Sequence, residues 1–170
     1  MTDIHHPDDL IRVFNHCFQQ SHRTQLAYGE DEPIYVPANE EHFYHIIFFA
    51  HGYFSSALHE CAHWLLAGAQ RRTLVDYGYW YTPDGRTAEQ QALFQQVEVK
   101  PQALEWVLSN TCGYPFRLSF DNLNGVTPEY EQFAFAVEQQ RYHYECTGLP
   151  MRAQTFRAAL LRHYQRLEVT

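Results

Sequence analysis

The residues best suited to chemistry stand in Leu58 to Gly68, LHECAHWLLAG, where His59 and His63 are four apart and Glu60 follows the first. A helix turns about 100° per residue, so positions four apart lie roughly 40° and 6 Å from each other. His59 and His63 then point the same way from successive turns, and two imidazole nitrogens can share one metal ion. Glu60 projects about 100° round from His59, so it flanks the pair. In hydrolytic enzymes a carboxylate so placed acts as general base on metal-bound water. The alternative is a pair of core histidines with a polar neighbour. The apolar setting argues against it: Phe54, Leu58, Cys61, Ala62, Leu65 and Leu66 make a broad stripe, and Ala57, Trp64 and Ala67 cover much of the rest. A helix apolar nearly all round is buried, and buried imidazoles need partners that a metal supplies.

Two histidines do not complete a shell, and periodicity alone does not name the third ligand. Asp76, Asp84, Glu98, Glu105 and His51 are the candidates. Glu98 lies between Val97 and Val99, a setting that favours an inward carboxylate. Two histidines and a carboxylate with open positions suit iron(II) and oxygen chemistry, and a similar set holds catalytic zinc. A zinc peptidase using Glu60 as base is therefore the alternative function. A structural zinc site, in a module that only binds a partner, would fill four positions and commonly use cysteine. Cys61 is two residues from His59 and points to the other side of the helix, which counts against that reading. A second oxygenase signature is set aside. His6-Pro7-Asp8 matches the H-x-D of 2-oxoglutarate oxygenases, and Arg117 to Ser119, RLS, faintly suggests their co-substrate clamp. But His6 sits beside the terminus and Asp8 suits a helix cap.

The elements that must position these residues follow from pattern. Leu10, Ile11, Phe14, Cys17 and Phe18 predict a helix capped by Asp8 or Asp9. YGEDEPIYVPANEE predicts a loop and FYHIIFFA a buried strand. The motif helix is expected from near Phe54 to Gly68. Thr73 to Tyr81, β-branched and aromatic, predicts a strand, followed by a turn at Thr82 to Gly85. Thr87 and Gln90 form a capping-box pattern opening a helix that Pro101 is expected to kink or end. GYPFRLSFDNLNG reads as irregular or short strand. Helices from about Pro128 to Cys146 and after Pro150 complete an α+β fold, a mostly helical single domain over 1–170 with a small sheet beside the motif helix.

Composition narrows the function. With 170 residues, 45% hydrophobic and 16% aromatic, the chain can bury a real core and is not disordered. A net charge of −8 argues against a nucleic-acid binder. The acidic start shows no secretory signal, and the longest apolar run, IIFFA, is far too short to span a bilayer. Cys17, Cys61, Cys112 and Cys146 show no metal-type spacing and read as reduced, mostly buried thiols. A cytoplasmic protein is expected. Lys100 is the single lysine against eleven arginines, which reads as compositional bias.

The blocks EDEPIYVPA, FFAHGYFSSALHECAHW, RRTLVDYGYWYTPDGR, FQQVEVKPQALEW, GYPFRLSFDNL and GLPMRAQTF, in that order, resemble the elongation factor P hydroxylase family from about Leu10 to Arg166. The resemblance implies an iron(II)- and dioxygen-dependent oxygenase. Its substrate would be the β-lysylated lysine of bacterial elongation factor P. It implies His59, His63 and Glu98 as ligands, with Glu60 as an acid/base or an added metal contact. A cationic modified lysine suits a pocket of aromatic walls and a few acids. Asp76 could take an ammonium, and Tyr79, Trp80 and Tyr81 the aliphatic stem. Ordinary core packing is the competing role for these aromatics. Arg152, Arg157, Arg162 and Arg166 could form a docking patch, or simply a solvated helix face.

Overall fold

A computed structural model describes residues 4–77, 87–120 and 127–168. It has five α-helices: α1 (Pro7–Phe18), α2 (Phe54–Leu66), α3 (Ala88–Cys112), α4 (Pro128–Thr147) and α5 (Met151–Glu168). The three strands are β1 (Thr24–Tyr28), β2 (Ile34–Val36) and β3 (His45–Phe49). The sheet order is β1-β3-β2, with β1 parallel and β2 antiparallel to the central β3. This is the expected mostly helical α+β domain, with its small sheet beside the motif helix. No helix among the described residues is long and apolar enough to cross a membrane.

Aromatic side chains centre the core. Phe14 and Phe18 of α1, Trp64 of α2 and Phe156 of α5 meet at ring separations of 4.9 to 5.5 Å along Phe14–Phe18, Phe14–Trp64 and Phe14–Phe156. Edge and tilted contacts of this kind add to the area each ring buries. The apolar stripe read on α2 is indeed inside: Phe54, Ala57, Leu58, Cys61, Ala62, Trp64 and Leu65 are buried. β3 runs into α2 through a reversal at His51 and Gly52, both in the left-handed region at φ 58° and 65°. Gly52 accepts that geometry without a Cβ penalty. The motif helix is thus tied closely to the central strand.

Several boundaries differ from the sequence expectation. α1 starts at Pro7, with His6 as N-cap, and Asp8 and Asp9 lie inside its first turn. A proline at the first helical position is pre-set for the helix and starts it before either acid can cap. The acidic loop contains β2, because Ile34, Tyr35 and Val36 pair with Phe48, Ile47 and Ile46. β1 is a further strand that the sequence pattern left unassigned, in register with the whole of β3. α2 ends at Leu66 with Ala67 extended, one residue before Gly68. Arg152 of α5 explains that stop: its guanidinium donates to the carbonyls of Trp64 (2.7 Å) and Ala67 (2.5 Å).

Of the strand expected at Thr73 to Tyr81, the described part is a 3-10 turn at Arg71–Thr73 and a single bridge between Tyr35 and Asp76. Residues 78–81 and the turn at Thr82 to Gly85 lie outside the described residues. α3 opens with the expected Thr87–Gln90 capping box and continues past Pro101 to Cys112, closed by left-handed Gly113. An interior proline costs about 3 kcal/mol in an isolated helix. Here Pro101 is buried, and Phe94, Glu98, Gln102, Leu104 and Leu108 on both sides of it are buried too. Packing against α2 and α4 outweighs the local cost.

Candidate metal centre

α2 and α3 lie side by side, and their facing sides meet at three side chains. His59 and His63 project from successive turns of α2, with their Nε2 atoms 3.0 Å apart. Glu98 of α3 points back at both, with Oε1 3.0 Å from His63 Nε2 and Oε2 3.5 Å from His59 Nε2. Ligand atoms of the three residues all lie within 4.8 Å of one another, so the set could hold one metal ion. Its donors are two nitrogens and one carboxylate, a set that fits iron(II) or zinc and leaves positions open for substrate.

Glu98 faces inward because of its helical register. Its neighbours Val97 and Val99 are only half-buried, whereas Phe94 and Gln102, one turn either way, are buried. Glu98, Gln102, Glu105 and Ser109 form a buried polar stripe along α3 at spacings of four, three and four. Three members meet at the cluster. Glu105 Oε2 is 2.7 Å from His59 Nδ1. The Gln102 side-chain amide donates to Glu98 Oε2 (3.3 Å) and to the Ser119 carbonyl (2.7 Å), and it accepts from the Ser119 amide (3.0 Å). The stripe is legible in the sequence only once α3 is allowed to continue past Pro101. Gln102 was missed for that reason, and Glu105 was weighed as a metal ligand when its contact is the far nitrogen of a histidine.

The electrostatics are those of a cation site. Burial works against a charged His59, but the Glu105 carboxylate more than offsets it, and Glu98 and Glu60 add to the pull, raising the imidazole to about 10. Burial likewise pushes Glu98 up, but its hydrogen bond to His63 and the two histidine charges hold it down at about 2. In the metal-free protein a proton on His59 meets the demand for positive charge that a metal ion would meet. Burial pushes the Glu60 carboxyl up, against the pull of His59 and His63.

Glu60 and His63 line a cavity of about 260 Å³. Tyr35, Ile47, Trp64 and Pro101 give it apolar walls, and Arg71, Asp76 and Lys100 stand on it as well. Asp76 is thus in the wall that Glu60 and His63 share, held by the Arg71 Nε at 2.5 Å. Tyr79, Trp80 and Tyr81 lie outside the described residues, as does Asp84. His51 is exposed in the turn before α2, away from the three clustered side chains. Cys61 is fully buried outside the cluster, and burial pushes its thiol well up. The His6–Asp8 signature is outside the cluster too: His6 stands at the N-cap position of α1, and Asp8 accepts a hydrogen bond from the Tyr28 hydroxyl. Two of the C-terminal arginines have structural contacts. Arg152 stacks over Trp64 at 4.6 Å while capping α2, and Arg157 donates to the Thr111 hydroxyl.

Residues 13–170 match the family described as elongation factor P hydroxylase. The chain is also 52% identical over 160 residues to the elongation factor P lysine hydroxylase of Haemophilus influenzae, covering 94% of this chain and 90% of the relative. The chain belongs to the elongation factor P hydroxylase family. The match takes in His59, Glu60, His63 and Glu98 together with the bracing residues Gln102 and Glu105. Family membership therefore spans the whole α2–α3 centre and both helices behind it.

Proposed function

We propose that this protein is an iron(II)-dependent oxygenase that hydroxylates the β-lysylated lysine of elongation factor P. The observation that carries the reading is the convergence of Glu98 on the His59–His63 pair beside a cavity, in a chain of the elongation factor P hydroxylase family. His59, His63 and Glu98 would hold the metal, whose part when bound is to activate dioxygen against an unactivated C–H bond. Dioxygen supplies one atom to the product, and its second atom must be reduced by two electrons from a co-substrate.

The chain's own residues supply binding and proton handling. Tyr35, Ile47 and Trp64 offer apolar surface to the aliphatic stem of the lysine. Asp76 offers a carboxylate to an ammonium, with Tyr79 and Trp80 as further contacts to the stem. Glu60, on the same cavity as His63, is placed to give or take a proton beside the metal. A zinc peptidase would use the same Glu60–His63 pair, and family membership is what favours oxygenation over hydrolysis. A translation factor as substrate implies a cytoplasmic protein that works on protein rather than nucleic acid.

Incubation of β-lysylated elongation factor P with the protein, iron(II), dioxygen and an electron-donating co-substrate should add the mass of one oxygen atom. Glu98→Ala should abolish the gain. A peptide cut by the zinc-loaded protein, lost on Glu60→Gln, would replace this reading with the peptidase.

A further inference from the structure

A second cavity, of about 440 Å³, reaches the centre through His59 and Glu105, whereas the first reaches it through Glu60 and His63. Its wall differs in character. Ser55, Ser56, Ser109, Tyr114 and Ser119 bring hydroxyl groups to it, and Arg117 brings a guanidinium. Arg117 is exposed and has no acidic partner among the described residues. Glu105, the one acid on the wall, already has its Oε2 on His59 Nδ1. The cavity therefore pairs an uncommitted cation with a row of hydroxyls, next to a histidine of the candidate metal centre. Arg117 also belongs to the RLS stretch whose partner signature at His6–Asp8 is away from the site. Only its arginine half shares a cavity with the centre.

We propose that this second cavity binds a small organic carboxylate, a 2-oxo acid, as the co-substrate of the hydroxylation. The proposal rests on the oxygenase reading above. A guanidinium offers a planar pair of N–H donors that matches a carboxylate, and hydroxyls can donate to its remaining lone pairs. The electron balance then closes without an outside reductant. The bond between the carbonyl and carboxylate carbons of the 2-oxo acid breaks, and carbon dioxide leaves. The former carbonyl carbon takes one oxygen atom of dioxygen and becomes a carboxylate. The two electrons released reduce dioxygen, and its other atom enters the lysine C–H bond as hydroxyl. Two cavities on one centre separate the roles: the first, with apolar walls, takes the lysine side chain, and the second takes the oxidised partner.

The test has two arms. 2-Oxoglutarate is titrated into the zinc-loaded full-length protein and into Arg117→Gln, with binding followed by calorimetry and ligand-observed NMR. Saturable binding that weakens about tenfold or more in the variant is expected, the loss of a charge-assisted pair. In the second arm the iron-loaded protein is given β-lysylated elongation factor P and carboxyl-labelled 2-oxoglutarate. Release of labelled carbon dioxide equal to the oxygen incorporated is expected. Absent binding, or binding that Arg117→Gln leaves unchanged, overturns the site. Hydroxylation sustained by ascorbate alone, at the same rate in Arg117→Gln, overturns the co-substrate role. Arg117-dependent binding with no hydroxylation under any reductant supports the site and counts against the oxygenase reading instead.

Discussion

His59 is held at both ring nitrogens. Nδ1 faces Glu105 at 2.7 Å, which leaves Nε2 toward His63 and Glu98. A carboxylate on the far nitrogen fixes the tautomer and the ring plane and makes the imidazole a stronger donor. Glu105→Ala should therefore weaken metal binding about ten- to a hundredfold with the fold intact, and Glu105→Gln should recover part of it. Competition titration against a chelator, with circular dichroism as control, checks this. The same pair sets a pH dependence. A metal must displace the Nε2 proton of the His59 imidazolium whose charge Glu105 stabilises through Nδ1, and whose value stands at about 10, so apparent metal affinity should rise steadily with pH below that value. For the metal-free protein the signs are opposite at the two ends. The His59 contribution to stability is fully present below its ordinary 6.5 and is lost as pH rises through about 10. The Glu98 contribution is present above its ordinary 4.5 and is lost as pH falls through about 2. Thermal melts of chelator-treated protein should show both contributions together only between those ordinary values, and a bound metal should flatten the alkaline loss.

α3 presents Glu98, Gln102 and Glu105 on one line, and that line exists only because the helix continues through Pro101. Gln102 is fully buried and ties the helix to the Ser119 backbone through both its amide atoms. Gln102→Ala should cost about 1–3 kcal/mol, since it removes two hydrogen bonds to the Ser119 backbone. It should also loosen Glu98, so urea denaturation and metal titration should both move. If stability falls with metal affinity unchanged, Gln102 serves only the packing of residues near Ser119. At this scale the sequence was legible where one periodicity governed. α1, α2, α4 and α5 follow from apolar spacing, and Thr87 with Gln90 announced the start of α3. β1 and β2 were not legible, because they are short and buried in patches against β3. Pro101 does not end α3, because a local rule met tertiary packing. Glu98 was singled out for its flanking valines, yet the buried turns at Phe94 and Gln102 are what turn it inward.

For the whole molecule, the centre is carried on the hydrophobic core through α2. Phe14 packs on Phe18, Phe156 and Trp64, and Trp64 is the residue after His63. Phe14→Ala should destabilise the protein by about 3–5 kcal/mol. Metal affinity of the molecules that remain folded should stay the same, because the α2–α3 contact that joins His59, His63 and Glu98 lies elsewhere. Denaturation curves with and without metal separate the two effects. The molecule as a whole places two cavities of different character against one histidine–carboxylate cluster. That arrangement suits a reaction that brings a protein side chain and a small oxidisable partner together. The central claim is that oxygen from dioxygen enters the lysine side chain at this centre. It is tested most directly by running the reaction on β-lysylated elongation factor P under isotopically heavy dioxygen, with wild type and Glu98→Ala side by side. The account predicts that wild type alone adds one heavy oxygen atom, localised by fragmentation to the modified lysine. A light oxygen atom drawn from water, or equal incorporation by Glu98→Ala, would contradict it.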